Sequence, residues 1–212
     1  MAKLVLGNIK QYMTPAIVVG NEVAGKYSML ERIKTDSNVE IGTVCGFHTY
    51  QGNEYAVVCL DATYRDSNTY QWMSSTESVP GMVTANPGHV YQDSDNPPAT
   101  TLCDKILAYA ASNGYTSSAV TKCRSLSFVI DGITYYGQLP SIIEMIDILS
   151  HFTAINTKDP SGSLSETLTA WTSMQATSGA SLRFNDDGSI RSTTKTSLQP
   201  VIPIIELPNA DN

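Results

Sequence analysis

The 212-residue sequence predicts an α+β fold of short antiparallel strands, two helices and long loop insertions. Three observations predict it. Asp131-Gly132 stands between the apolar runs of LSFVIDGITYYGQL (126–139), the strongest short-range hairpin signal. Ser141 and Glu144, just after Pro140, have the spacing of a capping box and open an amphipathic run. From Asp61 to Thr101 the chain is rich in Asp, Asn, Ser, Pro and Tyr and has little periodicity, an unusually long connection of the kind that commonly carries function.

Taken in order, residues 1–14 (MAKLVLGNIKQYMT) read as an N-terminal arm that pairs with its own body or with a neighbouring subunit. AIVVG at 16–20 reads as a short β-branched strand, and YSMLERI at 27–33 as a strand or a helical turn. IGTVCGF (41–47) and EYAVVCL (54–60) flank Gln51-Gly52-Asn53 and predict a hairpin. A first helix is expected over Leu102 to Asn113, with Leu102, Ile106, Tyr109 and Ala110 on one face and Gly114 as its stop. The second follows Pro140, with Ile142, Met145, Ile146 and Leu149 as its buried stripe. Asn156 to Ser163 reads as a polar loop. Beyond it come Trp171, a strand through Ser181 to Phe184, an Asp187-Gly188 turn and the closing SLQPVIPIIEL.

Composition narrows the function classes. Charged residues make up 16 %, against roughly 25 % in ordinary soluble domains. Hydroxyl, amide and tyrosine side chains fill the gap, as they do on binding surfaces. The net charge of −7 leaves no basic patch to neutralise phosphates, so nucleic acid is not an expected partner. No apolar run reaches the roughly 20 residues a membrane span needs, and no signal-peptide pattern opens the chain, which implies a product of the cytosol. Cys45, Cys59, Cys103 and Cys123 are widely spaced, with no C-x-x-C pair; they read as buried free thiols rather than disulfides or zinc ligands.

Chemistry-bearing patterns are few. His48, His89 and His151 are isolated, and each reads as a surface or core histidine rather than a ligand. There is no G-x-S-x-G elbow, so an enzyme is the outlying reading; Asp93, Asp95, His89 and Glu166 gathered in one cleft would revive it. Asp93 and Asp95 are the better of two calcium candidates, since Asp187-Gly188 is explained by its turn; no cofactor is otherwise expected. Trp72, Tyr64, Tyr70, Tyr91 and Tyr115 form a candidate aromatic face for a carbohydrate or a protein. Trp171, beside an apolar strand, reads as a core pillar. For Trp72 core and surface weigh equally.

The order of segments resembles the C-type-lectin-like module of bacteriophage tail and head fibre proteins and of related proteins of gut Bacteroides and their crAss-like phages. In that module a GIVV strand and an M-x-L segment precede a long variable insert. A small-residue helix, a hairpin leading to a Y-LPS-GE helix start, a W-S-S-T strand and an R-V-R-P strand follow. Here the corresponding segments are AIVVG (16–20), YSML (27–30), TLCDKILAYAASNGY (101–115), YYGQLPSIIEM (135–145), AWTSM (170–174), the FNDDGSI hairpin and LQPVIP (198–203). Leu-Gly-Glu is replaced by Ile142-Ile143-Glu144, Trp-Ser-Ser by Trp171-Thr172-Ser173, and the closing arginines by Leu198 and Gln199, while Pro140, Glu144 and Trp171 keep the cap and the pillar.

The resemblance implies a 1–14 anchoring arm and a 15–212 lectin-like domain, with Pro140, Ser141, Glu144 and Trp171 as structural residues. It implies a virion surface protein, assembled in the cytoplasm of the bacterial host: a head fibre, capsid decoration or tail fibre subunit that binds a host glycan or protein without catalysis. Tyr64, Tyr70, Trp72, Tyr91, Asp93 and Asp95 are the residues expected to face that ligand. The expected partners are other virion proteins, through the arm, and further copies of the chain, most simply in a trimer. A purely structural virion adaptor with no host ligand, and a bacterial lectin-like surface protein, are the alternatives.

Overall fold

The computed structural model describes residues 25–82, 97–159, 161–162, 164, 169–177, 179–184 and 190–210. The arm, AIVVG, Tyr91, Asp93, Asp95, His89, Glu166 and the Asp187-Gly188 turn lie outside them. The described residues form a mixed α+β structure with four helices and several small antiparallel sheets.

The central sheet contains β1 (Arg32–Lys34), β2 (Glu40–Tyr50), β3 (Asn53–Leu60) and the last strand, Ile204–Pro208, in the order β1-β2-β3-last. The β2–β3 hairpin turns on Gln51 (φ 51°) and Gly52 (φ 81°), both left-handed as a two-residue type I′ turn requires. Ala56 to Leu60 are all buried, which explains their unbroken apolar run: both faces of the sheet are covered. Register shifts between Val44 and Gly46, so that Cys45 is the extra residue of a bulge, and Cys45 and Gly46 both lie on the face opposite Val44.

Helix α1 (Ala99–Ser112) begins three residues before the sequence suggested, and Gly114 follows it at φ 70°. A short helix, α2 (Ser118–Arg124), went unread. Its β-branched content hides it, although Ser117 is its N-cap and Lys122 and Arg124 lie in its last turn. The expected hairpin is β5 (Ser127–Ile130) and β6 (Ile133–Tyr136), with Asp131 and Gly132 at φ 53° and 74°. Phe128 and Ile130 cover one face of the central sheet against Val44, Val58 and Ile205.

Helix α3 (Ile142–Ser150) covers the other face. Ser141 Oγ accepts the Glu144 N–H at 3.4 Å and Glu144 Oε2 accepts the Ser141 N–H at 2.5 Å, closing the capping box. Its buried set is Ile142, Glu144, Met145 and Ile148, with Ile146 and Leu149 only half-buried; the helix is packed on two sides, so no single stripe describes it. The expected polar loop after it is partly wrong: α4 (Phe152–Lys158) takes in Asn156 to Lys158, with Ile155 as its buried anchor.

A second core lies between α1, α2 and a three-stranded sheet, β7 (Ala170–Gln175), β8 (Ala180–Phe184) and β9 (Ile190–Thr194). The closing segment is two strands. Leu198–Gln199 (β10) pairs with Tyr70–Gln71 (β4), and Ile204–Pro208 (β11) pairs with β3; Pro200 and Pro203, which offer no N–H, separate them. All four cysteines are buried and unbridged, as their spacing suggested.

Candidate functional site

The segment that leaves β3 is pinned at its root by two buried carboxylates. Asp61 accepts from Arg32 Nη1 and Nη2 at 2.6 and 2.5 Å. Asp159 accepts from the Ala62 N–H (2.8 Å), Arg65 Nη2 (3.2 Å), the Ser161 N–H (2.9 Å) and Ser161 Oγ (2.9 Å). Burial alone would raise the Asp159 carboxyl; the donors around it outweigh that and hold it below the usual range.

Beyond this root the expected ligand residues separate. Tyr64 is half-buried, its ring edge-on to Phe128 at 5.0 Å. Trp72 is fully buried, so the structure takes its ring off the aromatic face. The reason is a reciprocal stitch. Trp72 Nε1 donates to Thr172 O at 2.9 Å, and Trp171 Nε1 donates to Tyr70 O at 2.7 Å, so each indole satisfies its polar tip on the other's strand. Trp171 and Pro140 are core, and Pro140 O accepts the Ser173 N–H at 2.7 Å.

Tyr70 remains at the surface. Its hydroxyl donates to Asp66 Oδ2 at 2.7 Å, and Lys122 Nζ approaches the same oxygen at 2.7 Å. Lys122 above all, helped by the Tyr70 hydroxyl and the Asn68 N–H, holds the Asp66 carboxyl down at about 2 against the opposing effect of burial. The chain then runs beside the loop into α2. Gln71 N–H donates to Ser118 Oγ (2.8 Å), and Ser74 and Thr116 exchange bonds of 2.8 and 2.9 Å. It reaches Glu77, whose Oε2 accepts from the Tyr109 hydroxyl at 2.8 Å, with the Tyr109 and Tyr115 rings 6.3 Å apart. One surface strip therefore carries Asp66, Tyr70, Lys122, Tyr115, Tyr109 and Glu77. Sequence reasoning missed Tyr109 and Glu77, because helical spacing assigned Tyr109 to the core and nothing local marks Glu77.

Beneath the strip lies Lys195, fully buried. Its ammonium donates to Gln175 Oε1 at 2.7 Å and to Glu77 O, and sits 4.9 Å from the Trp72 ring centre. Burial lowers it to about 8. Lys195 thus fastens the 73–79 segment to β7.

A second polar assembly is closed inside the molecule. The β2–β3–β11 register sets Gly46, Val57 and Glu206 in one row facing α3, with His48 two residues further along β2. Glu206 accepts the Ala99 and Thr100 N–H groups, each at 2.8 Å, and so caps α1 in place of Pro98, which has no side-chain cap to offer. Glu144 Oε1 lies 3.6 Å from His48 Nδ1, and both side chains are fully buried. Burial, followed by the charge of Glu144, raises the Glu206 carboxyl well above its usual range. Burial also acts to raise Glu144, but His48, Glu206 and the Ser141 N–H leave it lowered.

No protein-family model, curated protein or solved structure matches the chain. Among the described residues, no helix is long and apolar enough to cross a membrane.

Proposed function

We propose that the chain is a C-type-lectin-like display protein of a bacteriophage virion, anchored by its N-terminal side, and that it binds a host glycan or protein through the strip from Asp66 to Tyr115. One observation carries this reading. Asn209 O accepts the Lys26 N–H at 3.1 Å and the Asn209 N–H donates to Glu54 O at 2.9 Å, so the first and last described stretches meet at the Asn53 end of β3. The variable segment leaves from the Leu60 end, where the Asp61 N–H donates to Ile41 O at 2.9 Å. An eight-residue strand, roughly 25 Å at about 3.3 Å per residue, separates attachment from presentation. The strip itself combines tyrosine rings, a carboxylate pair and an ammonium on a rigid backing, which suits stacking on a sugar and hydrogen bonding to its hydroxyls.

The test is binding of the full chain, multimerised on streptavidin, to intact gut Bacteroides strains and their capsular polysaccharides. The reading predicts saturable capture that Tyr109→Ala and Tyr70→Ala each weaken about tenfold, an affinity change of about 1.4 kcal/mol. Capture unchanged in both variants removes the strip from the account.

One observation favours a structural adaptor as the second reading. Val129 and Tyr136, on the outer face of the β5–β6 hairpin, are 44 and 47 % exposed, apolar area suited to a neighbouring virion subunit or a further copy in a trimer. Incorporation into particles without capture by any strain supports that role.

A further inference from the structure

His48, Glu144 and Glu206 come from β2, α3 and β11, are all buried, and bring one ligand atom each to within 4.8 Å of the others. A cation between two carboxylates in a closed interior offsets the cost of desolvating each, which is several kcal/mol. The N–H groups at the start of α1 contribute only partial charge.

Glu144 Oε1 is a separate indication of a bound ion. It is buried and accepts no hydrogen bond, while Oε2 of the same carboxylate is held by the Ser141 N–H. Its 3.6 Å separation from His48 Nδ1 exceeds a normal N–H···O bond. Two ligands each about 2.0–2.2 Å from one zinc ion stand roughly 3.3–3.6 Å apart. We propose that His48, Glu144 and Glu206 form a buried structural site for one divalent first-row metal ion, with a water as the fourth ligand and zinc the best fit to one imidazole nitrogen and two carboxylates.

Charge and coordination both favour zinc. Two carboxylates and a divalent ion sum to zero charge. Calcium wants six to eight oxygens and magnesium keeps several waters, and a closed site with an imidazole suits neither. The outer partners are in place: the Ser141, Ala99 and Thr100 N–H groups fix both carboxylates. The ion would tie the last strand to the β2–β3 hairpin and to two helices. Its role is independent of whatever the surface strip binds.

The experiment uses the full chain purified without a histidine tag, stripped with chelator and titrated with zinc, then with cobalt(II). The expected result is about one equivalent of zinc per chain, a raised melting temperature, and the visible bands of four-coordinate cobalt. His48→Gln and Glu206→Gln should abolish stoichiometric uptake; where a variant fails to fold, the wild-type cobalt spectrum and stoichiometry still decide. No uptake by the folded wild-type chain, with an unchanged melting temperature, overturns the proposal. So does undiminished uptake by a folded variant, which puts the ion elsewhere.

Discussion

Lys195 holds the 73–79 segment to the body, and its pH behaviour follows from its burial. Its folded value of about 8 lies below the ordinary 10.5, so above pH 8 the unfolded chain binds more protons than the folded one and stability rises with pH. Between pH 8 and 9 that gain is about 1 kcal/mol. The buried thiols act in the opposite sense. Burial raises Cys59 to about 11 and Cys103 to about 12 from 9.0, so the unfolded chain ionises first and stability falls as pH climbs through 9. Burial raises Cys45 and Cys123 as well, so denaturant midpoints should stay nearly level from pH 7 to about 8.5 and fall above it, and Lys195→Met should fall more steeply between pH 8 and 9. Trp72→Phe keeps the apolar ring but orphans Thr172 O; a cost of about 1–3 kcal/mol is expected in the same assay. A change too small to measure would mean that the indole stitch is not holding β7.

Elements in this chain were legible where their cause is local. The Ser141–Glu144 box, the Asp131-Gly132 turn and the Gln51-Gly52 turn depend on neighbours a few residues apart, and each formed as read. The start of α1 was not legible, because its cap is Glu206, 107 residues away, standing in for a proline. Helices α2 and α4, seven residues each, are too short for periodicity to separate from loop; only Ser117 as an N-cap could have announced the first. Trp72 was undecided for the same reason, since its partner Thr172 lies 100 residues on. Two variants test the element scale. Ser141→Ala should destabilise by about 1 kcal/mol through loss of the cap. Gly46→Ala would set a methyl carbon against the Asp147 carboxylate and Cβ, and the shift this forces on that α3 residue should cost about 1–3 kcal/mol by thermal melt. A neutral Gly46→Ala would mean that α3 does not need that close approach.

For the whole molecule, the central sheet works as a spacer. Covered on one face by α3 and on the other by the β5–β6 hairpin, it carries the first and last described stretches at one end of β3 and the start of the long 61–101 connection at the other. That arrangement came from long-range strand pairing, above all the return of β11 to β3, which no local signal records. The most direct test is to immobilise the full chain on a sensor in two ways, through its N-terminus and through Asn68→Cys in the exposed loop before Tyr70, and to measure capture of the same capsular polysaccharides. The account predicts capture with the N-terminus tethered and a loss of about tenfold or more with the loop tethered. Equal capture in both orientations, or capture only through the loop tether, would contradict it.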